Sequence, residues 1–69
     1  MKKRNTLLSR REREVLHQLA LGHTSRQIAE NLGITELTAQ THRRNMLKKL
    51  KLLNTQQLMA WGYQQKLLE

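Results

Sequence analysis

The sequence predicts an all-α fold, a four-helix bundle that contains a helix-turn-helix. Aromatic residues, which favour strands, are scarce, since the 69 residues include one Trp, one Tyr and no Phe. No proline is present to interrupt a helix. The apolar residues recur at helical spacings. In addition, a Ser, Thr or Asn stands before each apolar stretch, where its side chain can cap a helix.

The first predicted helix spans residues 10–21. Ser9 and Glu12 have the spacing of a capping box, in which each side chain bonds the backbone N–H of the other residue. Gly22 follows where a left-handed helix cap is expected.

The second and third helices are predicted to form the helix-turn-helix. Thr24 and Gln27 have capping-box spacing at the start of the second helix, and Gly33 ends it. Thr35 is the predicted N-cap of the third helix, residues 36–51. Two short helices joined by a three-residue turn that contains glycine are typical of this motif.

The fourth predicted helix spans residues 55–66. Asn54 is its predicted N-cap, Gln57 occupies the capping-box position, and we expect Leu53 to pack on Leu58 as a hydrophobic staple. Residues 1–8 are predicted to form a basic arm that precedes a single domain over residues 9–69.

The predicted core consists of apolar side chains from all four helices and the turn. They are Val15, Leu16, Leu19, Ile28, Leu32, Ile34, Met46, Leu50 and Leu58. Trp61 fits equally well in the core or at a subunit interface.

The charge of the chain indicates a polyanionic partner. Thirteen Lys and Arg face five acids, all Glu, which gives a net charge of +8 and a pI of about 11.0. A lack of cysteine excludes disulfides and thiolate zinc sites and suits the cytoplasm. We expect no membrane span, since no apolar run approaches the roughly 18 residues that one needs.

The composition does not favour catalysis. The chain has no Asp and no Cys, and its histidines at positions 17, 23 and 42 have neither triad nor metal-ligand spacing. We therefore expect no enzymatic activity, no cofactor and no metal.

The third predicted helix has two different faces. Ala39, Met46 and Leu50 share an apolar face, whereas Gln40, Thr41, Arg44 and Lys48 share another. Residues 43–51 include five bases and no acid. A membrane-surface helix would need a broad apolar face with Trp or Phe, so double-stranded DNA is the favoured partner. A helical protein-interaction module that binds an acidic partner remains the alternative.

Three segments also resemble one family. Residues 8–16 (LSRREREVL) resemble the opening L-[ST]-x-R-E-x-E-V-L of LuxR-type (GerE-type) DNA-binding domains. Residues 22–29 (GHTSRQIA) resemble its G-x-[ST]-x-[KRE]-x-I-A, and residues 38–43 (TAQTHR) resemble its T-V-K-x-H-x. The resemblance covers residues 7–68. Region 4 of sigma factors, a further alternative, shares the opening and the turn but lacks the fourth helix.

The resemblance implies a bacterial transcription-regulator domain that binds DNA as a dimer. Its third helix would enter the major groove and its fourth would pair two copies. The sequence departs from the family at Leu37, where a polar residue is usual, at Ala39, which replaces Val, and at Gln40, which replaces Lys. The change at Gln40 is expected to alter the preferred base.

The candidate site residues form three groups. Gln40, Thr41 and Arg44 are predicted to read bases, because Gln can pair with adenine, Arg with guanine, and a Thr methyl can touch thymine. Phosphate contacts are expected from Thr24, Ser25, Arg26, Thr38, His42, Lys48 and Lys49. The expected homodimer contact, weak without DNA, consists of Gln56, Met59, Ala60 and Tyr63. RNA polymerase is a further candidate partner.

Overall fold

The computed structural model describes residues 7–68, which contain four helices and no strand. The helices are α1 (Arg10–Ala20), α2 (Ser25–Leu32), α3 (Glu36–Leu50) and α4 (Thr55–Gln64). The predicted all-α fold is therefore confirmed, although α1, α3 and α4 end slightly earlier than expected. Residues 1–6 of the predicted arm lie outside the described residues. In residues 7–68 every helix is too short or too polar to cross a membrane.

The first three helices begin at the predicted caps. Ser9 and Glu12 form both bonds of a capping box, and so do Thr24 and Gln27. The Thr35 hydroxyl accepts a hydrogen bond from the N–H of Thr38 at 3.1 Å. Local side-chain chemistry therefore sets where each helix starts.

The start of α4 differs in part from the prediction. Asn54 caps the helix as predicted, but the side-chain Oε1 of Gln57 accepts the N–H of Leu53 at 2.8 Å instead of that of Asn54. The predicted staple is wrong, because the Leu53 side chain is 82% exposed. Leu52 packs against the core in its place, since the turn at Lys51 points Leu52 inward.

All four helices end in the same left-handed turn, in which the last N–H groups bond back to earlier carbonyls. Gly22 and Gly33 supply the positive φ angle after α1 and α2, at 87° and 71°. Lys51 and Lys66 do so after α3 and α4, at 58° and 62°. An L side chain is strained in this conformation, which is why glycine is the usual choice.

The core lies between α1 and α3, each of which contacts the other three helices. Among the predicted core residues, five are buried and the others pack half-buried against them. The buried ones are Val15, Leu16, Ile28, Met46 and Leu58. Trp61 packs against this core, as one of its two interpretations expected.

The core also contains Leu8 and Leu68, at 2% and 5% exposure, which helical periodicity did not identify. Leu8 lies at the end of the predicted arm, so the packed part of the chain begins before Ser9. Leu68 folds back onto α4, where its Cδ1 atom lies 2.7 Å from the position that a Cβ atom on Gly62 would occupy. Gly62 is therefore the residue that lets the last turn close on the bundle.

Candidate nucleic-acid interface

The two faces of α3 differ as the sequence predicts. Ala39 and Met46 are buried at 2% and 0% exposure, whereas the opposite face is accessible to solvent. We call this opposite face the outer stripe. It consists of Leu37, Gln40, Thr41, Arg44 and Lys48, of which Gln40 and Thr41 are half-buried and the others exposed.

The turn before α3 fixes how the outer stripe is presented. Gly33 adopts a left-handed conformation, and the N–H of Ile34 donates to the Ala29 carbonyl at 3.0 Å. Ile34 then packs against the core, while Thr35 caps α3. Since Ile28 and Ala29 of α2 are also buried, α2 and α3 form a packed helix-turn-helix with α3 as its second helix.

The positive charge of the outer stripe lies on Arg44 and Lys48. Within residues 7–68, neither Arg44 nor Lys48 forms an ion pair. By contrast, Arg10 and Arg11 both pair with Glu14, at 3.8 and 2.9 Å. The basic groups of the stripe are thus available to an anion from outside.

Lys49 has a different environment from its neighbour Lys48. Its Nζ donates to Oε1 of Glu12 at 2.7 Å and to the Leu7 carbonyl at 3.3 Å. The ammonium group is therefore bound within the protein, an arrangement that does not favour the phosphate contact expected for Lys49. The signal was invisible in the sequence because Glu12 and Lys49 lie on different helices.

Glu12 is a buried carboxylate with two functions. It accepts the Ser9 N–H at 2.9 Å as part of the α1 capping box, and it binds Lys49. Burial by itself raises the pKa of Glu12, but the hydrogen bonds from Lys49 and Ser9 and the charge of Lys49 outweigh it, so that the pKa is lowered. Glu12 is thus held ionised at neutral pH and joins α1 to α3.

The start of α2 presents a second group of predicted phosphate contacts. Thr24 and Arg26 are exposed and Ser25 is half-buried. The Thr24 hydroxyl accepts the N–H of Gln27, whereas helix geometry leaves the N–H groups of Ser25 and Arg26 without an intrahelical acceptor. Arg26 contacts Glu30 at 3.9 Å, and both side chains are highly exposed, so this pair is weak and easily opened.

Thr38 and His42 lie beside the outer stripe on α3. Thr38 is exposed, and its hydroxyl accepts a hydrogen bond from that of Thr35 at 2.8 Å. His42 is half-buried. Helical geometry places both on the side of the stripe that Thr41 borders.

The predicted dimer face of α4 is less apolar than expected. Gln56 and Ala60 are exposed and Tyr63 is 48% exposed. Met59, however, is half-buried and packs against the core of its own chain. The surface left for a second copy therefore centres on Ala60 and Tyr63.

Comparison with known proteins identifies the family. The model of the GerE family, described as bacterial regulatory proteins of the luxR family, matches residues 6–61. The chain is 44% identical to the transcriptional regulatory protein MctR of Rhizobium johnstonii over 55 residues, which cover 80% of this chain and 26% of MctR. It is 38% identical to the nitrate/nitrite response regulator protein NarL of Escherichia coli over 60 residues, which cover 87% of this chain and 28% of NarL.

A third relative is the transcriptional activator protein ExpR of Dickeya dadantii, 40% identical over 63 residues that cover 91% of this chain and 25% of ExpR. The chain thus spans about a quarter of the length of these relatives. The family match includes both helices of the helix-turn-helix and most of α4. The chain therefore belongs to the LuxR family of bacterial regulatory proteins.

Proposed function

We propose that this chain is the DNA-binding part of a bacterial transcription regulator and that it binds double-stranded DNA sequence-specifically. The observation that carries the proposal is the outer stripe of α3, on the second helix of a helix-turn-helix, whose Arg44 and Lys48 form no ion pair within residues 7–68. A helix of this kind fits the major groove, which is about 12 Å wide. The regulatory names of the relatives support the same function.

Base reading falls to Gln40, Thr41 and Arg44. The Gln40 amide can bond N6 and N7 of adenine, and the Arg44 guanidinium can bond O6 and N7 of guanine. The Thr41 methyl can touch thymine. Arg44 is exposed, and half-burial of Gln40 and Thr41 restricts their side chains, which favours a defined geometry.

Phosphate contacts position α3 in the groove. Thr24, Ser25 and Arg26 offer hydroxyl, amide and guanidinium donors at the N-terminus of α2, where the helix dipole also favours an anion. Thr38, His42 and Lys48 add donors beside the outer stripe. Lys49 is left out of this set because its ammonium group binds Glu12.

Dimerisation through α4 would pair two such domains. Gln56, Met59, Ala60 and Tyr63 recur at helical spacing on one face, and Tyr and Met are enriched at protein interfaces. The exposed part of the face is small, so we expect dimerisation mainly on DNA. Two α3 helices would then lie about 34 Å apart on an inverted repeat. The regulator would act in the cytoplasm, and RNA polymerase is a further proposed partner.

A binding assay with salt titration tests the proposal. A site is first selected from random oligonucleotides, and its affinity is then measured against a scrambled duplex at several salt concentrations. We expect log K to fall with log salt by about 0.9 for each phosphate neutralised, and the selected site to bind more tightly. If affinity for DNA is independent of salt, the protein-interaction alternative gains support and the DNA-binding function is wrong.

A further inference from the structure

Leu37 is an apolar side chain within the otherwise polar and basic outer stripe. It is the second residue of α3, and its side chain is 67% exposed. An exposed leucine by itself is ordinary in a folded protein. The position of this leucine among the candidate base-reading residues distinguishes it.

Helical geometry places Leu37 near the centre of the stripe. At 3.6 residues per turn, the directions of Leu37, Thr41, Arg44 and Lys48 fall within roughly 60° of one another. Leu7, Leu21 and Leu53, the other highly exposed leucines in residues 7–68, lie outside the helices. A molecule that contacts Thr41 and Arg44 along α3 therefore meets Leu37 as well.

We propose that Leu37 reads a thymine by packing its side chain against the C5 methyl group in the major groove. This assignment rests on the proposed DNA-binding function. Thymine is the only standard base that presents a methyl group in that groove, and an apolar side chain is its natural contact. Removing both apolar groups from water stabilises the contact.

The geometry also limits where this thymine lies. Seven residues separate Leu37 from Arg44, which corresponds to about 10.5 Å along the helix axis. With a spacing of about 3.4 Å between successive nucleotides, the thymine lies within about three base pairs of the guanine that Arg44 reads. Leu37 therefore extends the recognised half-site at the N-terminal end of α3.

Replacing thymine by deoxyuridine tests the proposal, since this removes the methyl group and keeps the base-pairing edge. Each thymine of the selected half-site is replaced in turn, and affinity for the chain is measured by fluorescence anisotropy. At the position that Leu37 contacts, we expect the wild-type affinity to fall about three- to ten-fold, the amount that a lost apolar contact of this size costs. Leu37→Ser should bind both duplexes equally at that position. A thymine that Thr41 touches would keep its methyl dependence in Leu37→Ser.

Two further variants serve as controls. Leu37→Met keeps a long apolar side chain and should retain most of the dependence on the methyl group. Leu21→Ser replaces a leucine of similar exposure, 70%, in the turn after α1, and should leave this dependence unchanged. Circular dichroism of each variant checks that the helices are intact.

The outcomes separate this inference from the function on which it rests. If the wild type binds DNA without salt dependence or site preference, the DNA-binding function fails and the Leu37 assignment fails with it. If salt dependence and site preference are present but no thymine methyl group matters, the Leu37 assignment is wrong, and so is the thymine contact of Thr41, while the DNA-binding function stands. It is also wrong if Leu37→Ser keeps the same dependence as the wild type.

Discussion

The Nζ atom of Lys49 lies 2.7 Å from Oε1 of Glu12, so that a single ion pair connects the last turn of α3 with the first turn of α1. The Glu12 side chain is 5% exposed, whereas that of Lys49 is 42% exposed. The carboxylate therefore depends on this lysine and on the Ser9 N–H for compensation of its charge. Adjacent lysines thus have separate tasks, since Lys49 supports the fold and Lys48 faces outward.

The first prediction concerns acid stability. The folded-state pKa of Glu12 is lowered, so ionisation of Glu12 stabilises the fold. This stabilisation is fully present above the unfolded-state pKa of about 4.3 and is lost as the pH falls through the folded-state pKa. We expect Glu12→Gln to be less stable than the wild type at pH 7 and the difference to shrink below about pH 4.3. Urea denaturation across this pH range measures it. Glu14→Gln removes a half-buried carboxylate from the same helix and is the control, which should destabilise the fold less than Glu12→Gln at pH 7.

The second prediction separates Lys48 from Lys49, using Lys48→Met and Lys49→Met, which remove the same charge. Lys48→Met should reduce the slope of log K against log salt by about 0.9 with little change in stability. Lys49→Met leaves the Glu12 carboxylate without its lysine and should lower the free energy of unfolding by about 1–3 kcal/mol. Equal changes in the salt slope for the two variants would show that Lys49 also contacts a phosphate.

The third prediction concerns specificity. Arg44→Ala and Gln40→Ala should each relax the preference at one position of the half-site and cost about 1–3 kcal/mol on the preferred site. Binding to scrambled DNA should change less, because phosphate contacts dominate non-specific affinity. Selection from random oligonucleotides with each variant measures the relaxed position. Equal losses on preferred and scrambled DNA would show that these residues contact phosphates.

The fourth prediction concerns assembly. Ala60 is the better test of the α4 face, because Met59 packs partly against its own core. Ala60→Glu should place like charges across the two-fold axis, keep the helical content and abolish cooperative binding to an inverted repeat. Gln65→Glu introduces the same charge just after α4 and is the matched control. Cooperative binding by Ala60→Glu would exclude α4 as the dimer contact.

The fifth prediction concerns the helix ends. Lys66 has a φ angle of 62°, so Lys66→Gly should relieve strain and raise the free energy of unfolding by about 0.5–1 kcal/mol. Gly33 has a φ of 71° and open space where a Cβ atom would lie. Gly33→Ala should therefore lower the free energy of unfolding through backbone strain alone, without a steric clash. Thermal denaturation measures both, and a lower melting temperature for Lys66→Gly would contradict the argument.

Local chemistry predicted most of the fold. Ser9, Thr24, Thr35 and Asn54 cap their helices as expected, because an N-cap interacts with residues only three positions away. Glycine likewise predicted the left-handed turns after α1 and α2. The same turns after α3 and α4 were not predicted, since Lys51 and Lys66 adopt a conformation that their residue type does not signal.

Contacts between distant segments could not be predicted in this way. The packing of Leu68 on Gly62 depends on the path of the chain after α4 and has no helical periodicity. The pair between Glu12 and Lys49 joins residues 37 positions apart. The candidate site was limited in the same way. Sequence spacing located the outer stripe but could not show that the Lys49 ammonium group binds Glu12.

The division of α3 into a buried and an outward face has an evolutionary consequence. Ala39 and Met46 hold the helix in the bundle, whereas the outer stripe contributes little to the core. Substitutions at the stripe can therefore change which operator is bound without a large loss of stability, and paralogues can diverge in target while they keep one scaffold. An engineer has the same freedom, because a library confined to residues 37, 40, 41 and 44 samples new targets on an unaltered core.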